Sequence, residues 1–137
     1  LIEQAEGRKI TDIFSADGEE YFRQVETEVL KTLHEYDNFV LSTGGGMVLK
    51  DENVALLKAM GPVILLWAEP EAIHERIKHE THRPLLQVLD PKAEIEKILD
   101  YRRPYCERAA DITIDTSQQS VDQVEKEVSQ WLRSRST

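Results

Sequence analysis

The chain has 137 residues, 40% of them hydrophobic and 31% charged, enough for one compact domain with its own core and too few for two ordinary ones. Its formal net charge of -9 argues against a nucleic-acid footprint, which gathers Lys and Arg to replace phosphate counterions. No apolar run approaches the ~20 residues that cross a bilayer, so the expected partner is a small molecule rather than nucleic acid or membrane.

One cysteine, Cys106, cannot close an internal disulfide, which fits a reducing, cytoplasmic setting. Leu1 to Arg8 is acidic and lacks the apolar stretch of a secretory signal.

From Gly18 to Tyr36, the residues Tyr21, Phe22, Val25, Val29, Leu30 and Leu33 recur at helical spacing and predict an amphipathic helix. Phe39 to Leu41 is a short apolar run ending in Ser42, Thr43 and three glycines, which predicts a buried strand entering a tight loop. Asp51, as N-cap, is expected to open a helix that Gly61 and Pro62 stop after Met60.

Val63 to Trp67 (VILLW) is apolar without alternation, the pattern of a parallel strand buried on both faces. Pro70 starts another helix at its first turn. Thr81 to Pro91 holds two prolines and no period, which predicts a mobile lid loop over about 81–91. Lys92 to Ala109 is helical in pattern, with Pro104 expected to kink or restart it. Asp111 to Asp115 alternates as a strand, and Val121 to Leu132 forms a terminal helix. Alternating helices and strands indicate an α/β fold with a parallel sheet.

Four features could carry chemistry. Glycines 44 to 46 follow a strand, where absent side chains let backbone N–H groups approach a ligand; by themselves they equally make a flexible turn. Arg23 has Glu26 three residues on, so a carboxylate could hold its guanidinium as an oriented fork for an anion, although a solvated ion pair is the commoner fate. Arg83 in the irregular segment could bring one positive charge to a reacting phosphate, and Arg102 and Arg103 precede the Pro104 interruption. His34, His74, His79 and His82 show no metal-ligand spacing.

In order, Phe14, then Gly18-Glu19-Glu20 with Phe22-Arg23 and Glu26, then Val40 to Gly46, then Arg83-Pro84-Leu85-Leu86, then Arg102-x-Pro104 and Ala110-Asp111, this chain resembles shikimate kinase almost end to end. The resemblance implies a three-layer α/β/α fold of the P-loop kinase type. It also implies transfer of the ATP γ-phosphoryl group to the 3-hydroxyl of shikimate, with Mg²⁺, by a monomer.

Carried over by position, the resemblance makes Arg23 and Arg102 the clamp on the shikimate carboxylate and Glu26 the residue that orients Arg23. It makes Gly44, Gly45 and Gly46 the backbone loop facing the shikimate hydroxyls, with Phe14 and Phe22 as walls. Arg83 becomes the lid arginine that stabilises the transferring phosphoryl group, and Arg76 the arginine packed on adenine.

Two departures follow. Tyr105 comes directly after Pro104, where the family more often has an intervening residue. No Gly-Lys-Ser or Gly-Lys-Thr occurs anywhere, so the family's Walker A loop, its Asp-x-Asp pattern and the Mg²⁺ ligands are expected in a βαβ unit before Leu1. Residues 1–137 alone are therefore expected to fold poorly and to be inactive. The rival readings are a non-catalytic homologue that only binds, and a related kinase acting on gluconate or a nucleotide.

Overall fold

The computed structural model describes residues 1–78 and 90–135. They divide into two compact units, Leu1–Gly61 and Pro62–Thr137.

In the first unit, α1 (Ile2–Glu6) leads into α2 (Ile10–Thr32), a 3₁₀ turn at Leu33–Glu35, a second 3₁₀ turn at Met47–Leu49, and α3 (Asp51–Met60). The predicted helix from Gly18 is the second part of α2. Its first part, from Ile10, is joined through Gly18, whose φ of 84° and ψ of 175° break the helix inside the run. Ile13, Phe22, Leu30 and Leu33 from the α2 side pack with Met47, Val48 and Leu57 as the buried core of this unit.

Two expectations change here. Phe39 to Leu41 forms no strand, and Val40 is 98% exposed; a strand needs a hydrogen-bonded neighbour, and no described segment pairs with this one. Lys50, not Asp51, is the N-cap of α3, and its side chain makes no capping bond. Asp51 sits inside the first turn, where its charge favours the positive end of the helix dipole.

The second unit orders β1 (Ile64–Trp67), α4 (Pro70–Ile77), α5 (Pro91–Ala109), β2 (Ile112–Asp115) and α6 (Val121–Arg135). β1 and β2 run parallel, with Ile64 opposite Ile112 and Trp67 opposite Asp115. The ladder extends past both ends, because Asp111 N–H donates to Val63 O and Thr116 N–H donates to Trp67 O, each at 2.7 Å. Asp111 also accepts from Val63 N–H through Oδ2 at 2.7 Å, so its carboxylate serves as a strand-end pairing group.

β1 is not buried on both faces. Leu66 is 55% exposed while Trp67, whose side chain points to the other face, is buried. α5 passes through Pro104 without restarting; proline removes one backbone donor but leaves helical φ within reach.

The expected lid arginine Arg83 lies outside the described residues. Of the lid's expected end, Asp90 caps α5 by accepting from Ala93 N–H at 3.1 Å and Pro91 begins the helix. Among the described residues, no helix is long and apolar enough to cross a membrane.

Candidate functional site

The Gly18 break decides what α2 can present. On an unbroken helix Phe14 and Phe22 would be separated by eight residues, about 12 Å of rise at 1.5 Å each, and their rings could not meet. With the break, the ring centroids stand 4.7 Å apart at an interplanar angle of 36°. Phe22 is buried and Phe14 remains 39% exposed, so the pair forms an aromatic wall with one ring open.

Arg23 follows immediately on the helix. Its Nη1 donates to both carboxylate oxygens of Glu26, at 3.0 and 3.2 Å, and its Nη2 reaches Glu19 Oε1 at 3.4 Å. The Glu26 side chain is only 5% exposed and that of Arg23 16%, whereas Glu19 is 63% exposed. Glu26 is therefore the fixed partner and Glu19 a solvated one. The guanidinium also lies 5.2 Å from the Phe22 ring centroid.

The glycine turn closes against this fork. A Cβ built on Gly46 would fall onto the Arg23 guanidinium, overlapping its Nη2, Cζ and Nη1 atoms, so only glycine lets the arginine lie flat there. Among the described residues, none accepts a hydrogen bond from the N–H groups of Gly44, Gly45 or Gly46. Arg23, Glu26, Phe22, Phe14 and Gly46, picked from sequence, thus come together within one unit.

Behind them stands a pair that sequence reasoning missed. Asn53 on α3 is 0% exposed. Its Nδ2 donates to Met47 O at 2.9 Å, and its Oδ1 accepts from Thr27 Oγ1 at 2.8 Å. A polar residue on the buried face of an amphipathic helix was the available signal.

In the second unit, Arg76 donates through Nη1 to Thr116 Oγ1 at 3.0 Å and through Nη2 to Thr116 O at 2.5 Å. Thr116 Oγ1 in turn donates to Trp67 O at 3.0 Å. The arginine is thereby pinned across the ends of both strands, and Thr116 is a second residue the sequence did not reveal. Arg102 is half-buried on α5. Its neighbour Arg103 lies over the Trp67 ring at 4.8 Å and donates to Glu107 at 2.9 Å. Cys106 is held above the usual thiol range by burial, partly offset by the charge of Arg102.

No group of three or more His, Cys, Asp or Glu side chains among the described residues is arranged to hold a metal ion. Chemically, the first unit offers an oriented cationic fork beside backbone donors and an aromatic wall, which suits a small anion with a ring.

The family model described as shikimate kinase matches residues 1–133. A shikimate kinase of Caldanaerobacter subterraneus subsp. tengcongensis is 41% identical over 128 residues, which span 93% of this chain and 74% of that protein. One from Neisseria gonorrhoeae is 44% identical over 116 residues, 85% of this chain and 87% of that protein. Among solved structures, shikimate kinase from Acinetobacter baumannii in complex with shikimate superposes with a TM-score of 0.89 at 34% identity, covering 98% of this chain and 75% of that one.

Proposed function

The chain belongs to the shikimate kinase family, with its P-loop kinase fold, and from that premise we propose that the full-length protein transfers the γ-phosphoryl group of ATP to the 3-hydroxyl of shikimate. Both units then form one catalytic domain, acting as a monomer in the cytoplasm with Mg²⁺. The observation that carries this reading is the Arg23 fork, fixed by a nearly buried Glu26 and laid against Gly46.

Glu26 occupies Nη1, which leaves the Nε and remaining Nη2 hydrogens of the five-donor guanidinium for a carboxylate in bidentate fashion. Phe14 and Phe22 supply the apolar side of a ring-shaped pocket, and the Gly44 to Gly46 backbone admits hydroxyls at close range. Arg102 joins the carboxylate clamp. Arg76, held flat by Thr116, stacks on the purine. Arg83 approaches the phosphate that moves and offsets its developing charge. The bond between the γ-phosphorus and the bridging oxygen breaks, ADP leaves with that oxygen, the acceptor hydroxyl oxygen bonds to phosphorus, and its proton is released to water. In the relative from Acinetobacter baumannii the bound ligand is shikimate, which supports the choice of acceptor.

The test is ADP release by the full-length protein with shikimate, gluconate or a nucleoside monophosphate as acceptor. Shikimate-dependent turnover is the expected result; preference for either rival acceptor, or shikimate binding without turnover, overturns it. Residues 1–137, which contain no Gly-Lys-Ser or Gly-Lys-Thr, are expected to release no ADP when expressed alone.

A further inference from the structure

We propose that Asn53 is a positioning residue for the anion site: it fixes the glycine turn at the distance from α2 that lets the Arg23 fork lie against Gly46. This rests on the reading that Arg23 holds the substrate carboxylate.

Gly46 and Met47 are consecutive. Met47 gives its carbonyl to Asn53 Nδ2, while Gly46 gives its own to Leu49 N–H at 3.2 Å. The far end of the same amide binds Thr27 Oγ1, and Thr27 stands one helical turn after Arg23, with its hydroxyl also 3.0 Å from Arg23 O. A hydroxyl has one hydrogen, so the Arg23 carbonyl and the Asn53 oxygen compete for it.

The result is a closed ring of contacts: Arg23 to Gly46 by van der Waals approach, Met47 to Asn53 and Asn53 to Thr27 by hydrogen bonds, and Thr27 back to Arg23 along α2. Only the Asn53 amide offers a donor at one end and an acceptor at the other. Because Asn53 is fully buried, water cannot replace either bond without opening the site.

Asn53 touches no substrate in this scheme, so its loss should move recognition of the carboxylate and leave the nucleotide alone. In the full-length protein, Thr27→Val and Asn53→Leu are expected to raise KM for shikimate about tenfold, the scale of one lost buried hydrogen bond, with KM for ATP unmoved. Thr27→Ser keeps the hydroxyl and is expected to recover the shikimate KM relative to Thr27→Val.

If the folded Thr27→Val protein, judged by its circular dichroism, keeps the wild-type shikimate KM and only melts earlier, Asn53 and Thr27 are core residues and the assignment is overturned. A KM rise shared equally by ATP overturns it too. Arg23→Lys separates the two levels: impaired shikimate binding there, beside an unaffected Thr27→Val, sinks the positioning role alone. Unchanged shikimate binding in Arg23→Lys sinks the site reading beneath it.

Discussion

The Arg23 guanidinium fills the space that a side chain at Gly46 would need. Gly46 itself has φ of -101° and ψ of -12°, a conformation open to any residue, so its requirement for glycine comes from the arginine and not from backbone strain. Gly46→Ala is therefore expected to push the fork aside and raise KM for shikimate by about tenfold or more, with the ATP value unmoved. Steady-state kinetics on the full-length protein checks this; a wild-type shikimate KM would show that Arg23 can yield without consequence.

Removing Arg23 strands a carboxylate. The Glu26 side chain is 5% exposed, and a buried charge that loses its partner costs about 3 kcal/mol or more. Arg23→Ala should accordingly destabilise the protein by that order in urea unfolding. The double variant Arg23→Ala/Glu26→Gln should recover part of the loss, giving a coupling energy above about 1 kcal/mol. Additive effects would mean that the pair is solvated in solution.

Gly18 carries φ of 84° and ψ of 175°, a region that side chains all but exclude, at a cost of about 1 to 3 kcal/mol. Had α2 been continuous, Gly18→Ala would stabilise it by about 1 kcal/mol through helix propensity. The expected sign is the opposite: a lower unfolding midpoint and loss of the Phe14 contact with Phe22. A higher midpoint would remove the break from the account of the aromatic wall.

Burial holds the Cys106 thiol above its ordinary range, so the thiol form prevails at neutral pH and the nucleophilic thiolate appears only at higher pH than for a free cysteine. Alkylation by iodoacetamide should be slower at pH 7 than for an unstructured cysteine peptide, with its rate rising at a higher pH. A rate profile matching the peptide's would place Cys106 in solvent.

Periodicity made the helices from Pro70, from Lys92 and from Val121 legible, along with both strands of the second unit, since each element's apolar pattern agrees with its neighbours in space. Phe39 to Leu41 read equally well as a strand and is not one, because strand formation depends on a partner that no local pattern encodes. The helix expected from Gly18 begins earlier, at Ile10, because Gly18 joins two helical pieces rather than opening one. In the site, Arg23 and Glu26 could be paired from their spacing of three. Their contact with Gly46 and the Asn53 bridge could not, since both depend on how α3 and its preceding turn pack on α2.

The parallel pairing of β1 with β2 joins backbone groups 48 residues apart in the chain, as where Asp111 N–H donates to Val63 O. During synthesis at about 5 to 20 residues per second, β1 therefore waits roughly 2 to 10 s for its partner to be made. Through that interval Val63 to Trp67, five consecutive apolar residues, stands without β2 beside it. The first unit closes over much shorter separations, the Thr27 to Asn53 bond spanning 26 residues. The Arg23–Glu26 fork can therefore close before β1 meets β2, and shielding the apolar β1 from other chains in the meantime is what a ribosome-bound chaperone would do.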